Sequence, residues 1–175
     1  MSGARIASIW RMLMLATVVE YLRSNAAAFR LVSNPSPEAD PPVAHAVRPS
    51  GAVLIDTHLV LIDGRPSLVC VPRGDRVNLL GLRAALRAEL IEEEDGRAAL
   101  PWPFLGPLGR IPPLGRLFGA PLIIDRAVAR SAVICFEVFD GTDLVEMIYD
   151  DFARLELPRV EDAAMAGELP AAPLH

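Results

Sequence analysis

At 175 residues, with 52% hydrophobic and 22% charged side chains, the chain carries apolar material for one well-filled core and little room for a second domain. The formal net charge of -5 excludes a nucleic-acid scaffold held by a broad basic surface. All 17 basic side chains are arginine, so general-base or Schiff-base chemistry on a lysine amine is excluded as well.

The apolar run from Ile9 to Val19 is interrupted by Arg11 and closed by Glu20 and Arg23, and it is too short to cross a bilayer. Met14, Val18 and Leu22, joined by Leu15 and Val19, predict an amphipathic first helix ending in Ser24-Asn25-Ala26, in a cytoplasmic protein without membrane contact. Residues 28–33 alternate as a short strand. Prolines 35, 37, 41, 42 and 49 then predict a long loop, because each removes a backbone donor, with a helical turn around Val43-Ala44-His45. A loop of that length is commonly functional or mobile.

Residues 51–62 and 66–71 read as two strands of a hairpin, with Asp63-Gly64 supplying the left-handed turn. Asp75 is placed to cap a helix through residues 77–86. Glu92-Glu93-Glu94-Asp95 reads as a solvated turn or helix start, and its diverging carboxylates lack partners at ligand spacing, so no metal site is expected. The prolines and glycines of 101–119 predict an irregular segment. Residues 121–125 and 132–139 are buried strands, and Asp140-Gly141-Thr142 turns into a third at 144–148. Asp150 or Asp151 is placed to cap a final helical turn to Leu155. Beyond Pro158 the composition predicts fraying, which gives one domain over 1–160 and a tail over 161–175. The fold class is α+β, with a mixed, largely antiparallel twisted sheet flanked by helices.

Cys70 and Cys135 lie within apolar strands and read as small buried hydrophobes, with a disulfide between them as the alternative. No Walker loop or dinucleotide glycine fingerprint follows a predicted strand, so no cofactor is expected. Asp56 and His58 share one face of their strand and Thr57 points to the other. An Asp and a His so placed form either a polar surface or a pair that orients a water, with His58 as general base. His45, in the proline-rich loop, is an exposed histidine or one that covers a cleft. Ten arginines against seven acids between Arg65 and Arg130 make the middle locally basic, either a solvated surface or one facing phosphates.

Gly109-Arg110-Ile111-Pro112, extended by Pro113-Leu114-Gly115, is a Gly-x-x-Pro loop, and Leu122-Ile123-Ile124-Asp125 is a strand ending in an acid. With Ala52-Val53-Leu54-Ile55, the Asp63-Gly64-Arg65-Pro66 turn, Leu68-Val69-Cys70-Val71-Pro72, Arg73-Gly74-Asp75-Arg76-Val77-Asn78-Leu79 and the closing Asp151-Phe152-Ala153-Arg154-Leu155, these pieces fall in a specific order. In that order the chain resembles the YbaK and prolyl-tRNA-synthetase-associated editing family over roughly residues 18 to 160. The resemblance implies a cleft between the hairpin strands and the 109–115 loop. It implies hydrolysis, in trans, of the ester of a mischarged aminoacyl-tRNA bound by its acceptor end. Backbone around Gly109, Arg110, Ile111, Pro112 and Pro113 would hold the ester, with Gly51 at the start of the hairpin strand and Arg73 or Arg110 at the tRNA end.

The sequence departs from the family in three places. Gly51 stands where family deacylases usually carry a lysine, Asn34 stands where a histidine often precedes the proline, and Phe139-Asp140-Gly141-Thr142 replaces a Gly-x-His turn. His45, Ser50, Thr57, His58 and Arg73 are the candidate replacements, with His58, His45 and Thr57 as candidate catalytic groups. The missing lysine keeps a second reading open, a noncatalytic module that binds an aminoacyl or nucleotide ligand or a protein partner. Assembly as a homodimer also stays open.

Overall fold

In the computed structural model, which describes residues 3–33, 51–94, 110–138, 141 and 143–167, the hairpin forms where the sequence places it. Strand β2 (Val53–Ile62) pairs antiparallel with β3 (Arg65–Pro72), with Ile62 opposite Arg65. Asp63 and Gly64 between them both have positive φ (49° and 76°), the two-residue turn whose twist matches that of the strands. Asp63 does more than turn the chain. Its Oδ1 accepts from the backbone N–H groups of Glu89 and Leu90 and so ties residues 89–90 to the hairpin.

That tie redirects the residues that follow. The acidic tract expected to be a solvated turn or helix start instead contributes β5 (Ile91–Glu93), which pairs antiparallel with β2 through Val60 and Glu93. Helix α2 (Leu79–Leu86) begins two residues later than expected, because Asn78, not Asp75, accepts the Gly81 N–H at its N-terminus. Gly81 leaves room for that cap: a Cβ would lie 2.3 Å from the Asn78 amide nitrogen and would displace the capping side chain. The preceding Arg76–Val77 form β4.

The remaining strands of the main sheet are β1 (Arg30–Ser33), β6 (Leu122–Asp125), β7 (Val133–Val138), β8 (Asp143–Ile148) and β9 (Arg159–Glu161). They assemble with β2 and β3 in the order β1-β8-β7-β2-β3-β6-β9, with β5 also on β2. Pairings β1–β8, β7–β8, β2–β3 and β2–β5 are antiparallel, and β2–β7, β3–β6 and β6–β9 are parallel. The sheet is mixed, as the fold class predicts.

Both faces of its centre are covered, which is why β3 reads as a continuous apolar run. Leu68 and Cys70 face one core cluster while Val69 and Val71, one residue out of phase, face another. The first is closed by α1 (Gly3–Ser24), whose Met14, Val18 and Leu22 are buried at the spacing the sequence shows. It is also closed by α3 (Gly115–Phe118), α4 (Arg126–Ala129) and α5 (Tyr149–Glu156). The second is closed by α2 and Ala163. Helix α3 lies inside the segment expected to be irregular, and α5 starts after Ile148 with no side-chain cap, leaving Asp150 and Asp151 in its first turn.

The chain does not fray at Pro158. Strand β9 extends the sheet, and β10 (Ala164–Met165) pairs with β4. Asp125, 5% exposed, accounts for this: Oδ1 accepts from Ala127 at the start of α4, and Oδ2 accepts from the N–H groups of Ala163 and Ala164. Among the described residues no helix is long and apolar enough to cross a membrane.

Candidate functional site

The edge of β2 away from β3 is shared by two strands. Strand β7 pairs with it at Val53–Ile55, and β5 pairs with it at Val60–Ile62. Between them Asp56, Thr57, His58 and Leu59 border a cleft of about 310 Å³, closed from above by Arg110 and Ile111. The cleft lies at a fork in the sheet, between the hairpin and the Gly-x-x-Pro segment. Its volume is at the lower end for small-ligand sites.

The alternation along β2 divides its walls. Ile55, Leu59 and Phe136, with Ile111, belong to the helix-covered core and make an apolar wall. Asp56 and His58 face the opposite side, with Glu137 of β7 and Glu93 of β5 flanking them. Thr57 points to the core side, where its Oγ1 lies 3.7 Å from the Sγ of Cys70, its register partner. Burial pushes the Cys70 thiol up to about 12, which keeps it protonated and inert.

The cationic groups come from arginine. Arg73 Nε and Nη2 donate to Asp56 Oδ1 at 3.0 and 2.9 Å, and Nη1 donates to Glu137 Oε1 at 2.8 Å. Arg110 pairs through Nε with Glu137 Oε2 and through Nη1, at 3.4 Å, with Asp56 Oδ1. Two guanidiniums thus balance two carboxylates. Desolvation, the largest influence on Arg73, pulls its pKa down, but the bonds to Glu137 and Asp56 together carry it above the ordinary guanidinium value. Arg73 and Glu137 are largely buried, whereas the Arg110 side chain is half exposed.

His58 Nδ1 lies 2.7 Å from Glu93 Oε1, and among the described residues nothing pairs with its Nε2. The loop over the cleft is also anchored at its far end. Glu156, buried at the end of α5, accepts from Tyr21 OH on Oε1 (2.8 Å) and from the Arg116 N–H at the start of α3 on Oε2 (2.9 Å). Arg116 Nη1 adds a bond to the Leu155 carbonyl. Burial raises the Glu156 carboxyl above its usual range, against the opposing effect of those bonds.

Of the residues named from sequence, the cleft gathers Asp56, Thr57, His58, Arg110 and Ile111, with Arg73 joined to it through Asp56 and Glu137. Pro112 and Pro113 are buried behind Ile111 and do not line it. Gly51 is exposed, outside the lining, with φ +79°, a conformation that strains any L side chain, lysine included. Gly109, His45, Asn34 and Ser50 lie outside the described residues, as do Phe139, Asp140 and Thr142. Sequence reasoning missed Glu137 and Glu93. Glu137 had a signal, since a lone acid within the apolar run 133–138 must find a cation when buried.

No family model matches the chain, and no curated protein matches it. Solved structures do. A Marinobacter aquaeolei VT8 protein provisionally described as a signal transduction protein aligns with 86% of this chain at a TM-score of 0.62 and 20% identity. The alignment spans only 30% of that longer protein. Hypothetical protein APE2540 aligns at 0.62 and 15% identity, over 85% of this chain and 99% of its own. A protein provisionally described as a trans-editing enzyme for prolyl-tRNA synthetase aligns at 0.58 and 14% identity, over 86% and 96%. At these identities the likeness is one of fold. The fold is mixed α/β and matches that of YbaK-like structures.

Proposed function

We propose that the cleft receives the aminoacyl end of a mischarged tRNA and that the ester is hydrolysed there, in trans. The observation that carries the reading is the position of the cleft, at the fork in the sheet beneath Arg110 and Ile111. One wall is apolar and suits a small amino-acid side chain or the adenine, and the other is polar and suits the ester and its water. The likeness of fold to a protein provisionally described as a trans-editing enzyme supports it. An aminoacyl ester is already activated, so orienting water and stabilising the oxyanion supply much of the rate. Arg110 reaches a tRNA phosphate only by leaving Glu137 or Asp56.

The test is incubation of the purified protein with a panel of mischarged tRNAs. Release of amino acid above the buffer rate from at least one is expected, and no release from any of them sinks the reading.

A second reading, a noncatalytic module binding an aminoacyl or nucleotide ligand or a protein partner, is favoured by one observation: among the described residues both guanidiniums at the cleft are spent on carboxylates, in a chain without lysine. Calorimetric binding of a non-hydrolysable aminoacyl-adenosine amide, together with no turnover of any tRNA in the panel, is its signature.

A further inference from the structure

The place of Glu93 is fixed by backbone pairing. Asp63 holds residues 89–90, β5 follows at once, and Glu93 sits opposite Val60. In an antiparallel pair that puts its side chain on the face of β2 that carries His58, two residues away, within diagonal reach. The 2.7 Å contact between Glu93 Oε1 and His58 Nδ1 follows. A carboxylate only accepts, so Nδ1 carries a proton, and in the neutral form of the ring the lone pair falls on Nε2. Among the described residues no donor reaches that atom, and it is shut off from bulk solvent although the His58 side chain is 26% exposed at the cleft. A buried acceptor left unpaired is costly, and a water or ligand group in the cleft completes it once the side chains covering Nε2 shift aside.

We infer that His58 is the general base for ester hydrolysis in this cleft and that Glu93 is the positioning residue that fixes its tautomer, an assignment that rests on the deacylase reading of the same site. In the step, Nε2 takes one proton from a water as the water oxygen bonds to the ester carbonyl carbon. The tetrahedral intermediate collapses with cleavage of the bond between that carbon and the ribose oxygen, and the proton on Nε2 passes to the ribose oxygen. The products are the free amino acid and a tRNA with its hydroxyl restored. Glu93 steadies the charge the ring carries between the two transfers. Among the described residues, the other charged groups bordering the cleft with the ring are Asp56 on β2, Glu94 after β5, Glu137 on β7 and Arg110 above. The pairing of Asp56 and Glu137 with Arg73 and Arg110 leaves Glu93 as the carboxylate bonded to the imidazole.

The test uses the full chain. Nitrogen-15 NMR of its three histidines reports the His58 tautomer without any need for activity. The pH dependence of kcat is measured on whichever mischarged tRNA the wild type hydrolyses. His58→Gln is expected to lower kcat by about 10²–10⁴-fold and to remove the acid limb of the profile. Glu93→Ala, at a half-exposed site, is expected to leave the unfolding midpoint nearly unchanged, to lower kcat with KM unchanged and to give mixed tautomers. Glu93→Gln, whose amide oxygen still accepts from Nδ1, is expected to restore the tautomer and part of the rate. A wild-type spectrum with the proton on Nε2, or hydrolysis that survives His58→Gln with its acid limb intact, overturns the assignment and leaves the deacylase reading standing. Failure of every tRNA to be hydrolysed by the wild type overturns both.

Discussion

Arg73 is the described side chain on which the cleft depends most, because it bonds both Asp56 and Glu137 from a nearly buried position, whereas Arg110 does so from a half-exposed one. Removing one partner of a buried ion cluster leaves the others desolvated, whereas replacing the whole pair with apolar groups often does not. Arg73→Met is therefore expected to cost about 3 kcal/mol in urea unfolding. The double variant Arg73→Met with Glu137→Leu is expected to cost less than the sum of the two singles, and strict additivity contradicts the coupling. Glu156 gives a second prediction at this scale. Its carboxyl pKa is raised by burial in the folded protein, so the folded state binds its proton more tightly than the unfolded chain does. The stability owed to this group rises as pH falls from neutrality through the raised pKa, and the gain is complete below the ordinary value of 4.5. The thermal midpoint of the wild type should therefore rise relative to that of Glu156→Gln on acidification across that window. A constant difference contradicts the sign.

Elements set by local chemistry behave as local chemistry predicts. Asn78→Ala removes the acceptor for the Gly81 N–H and is expected to lower stability by about 1 kcal/mol, read as a shift in denaturant midpoint with unchanged slope. The hairpin was legible because Asp63-Gly64 encodes its own turn, and α1 because Met14, Val18 and Leu22 repeat at helical spacing. The acidic tract at 92–95 was not legible as a strand. Only three residues pair, and what places them is the Asp63 carboxylate from the hairpin, a contact between distant parts of the sequence. Half of the site followed the same division. Asp56 and His58 could be put on one face by alternation, and Arg110 and Ile111 only through the family resemblance that the Gly-x-x-Pro loop carries. Glu93 and Glu137 could not be brought to them without the pairing of β5 and β7 on the same edge of β2. The cap of α2 went to Asn78 instead of Asp75 because β4 occupies the two residues between them, held by a strand from the far end of the chain.

At the scale of the molecule, the segment beyond Pro158 belongs to the fold. It supplies the partners of β6 and β4, the N–H groups that satisfy Asp125, and Ala163 in the core beneath α2. A chain cut after Pro158 leaves a buried carboxylate short of two donors and a parallel strand without its neighbour. Its unfolding is expected to be markedly earlier and less cooperative by circular dichroism, and an unchanged transition shows that the segment is dispensable. The same arrangement has a consequence in time. Strand β1 waits for β8, more than a hundred residues on, and β4 and β6 wait for β10 and β9. Three of the sheet's pairings are parallel and cannot close through a tight turn. With so much loop entropy lost before the contacts return it, the β2–β3 hairpin is the natural early nucleus and the rest must assemble slowly. On a ribosome, β6 would emerge with its outer edge unpaired and stay so until the last strands follow, which is the interval in which this chain is most open to aggregation or to a chaperone.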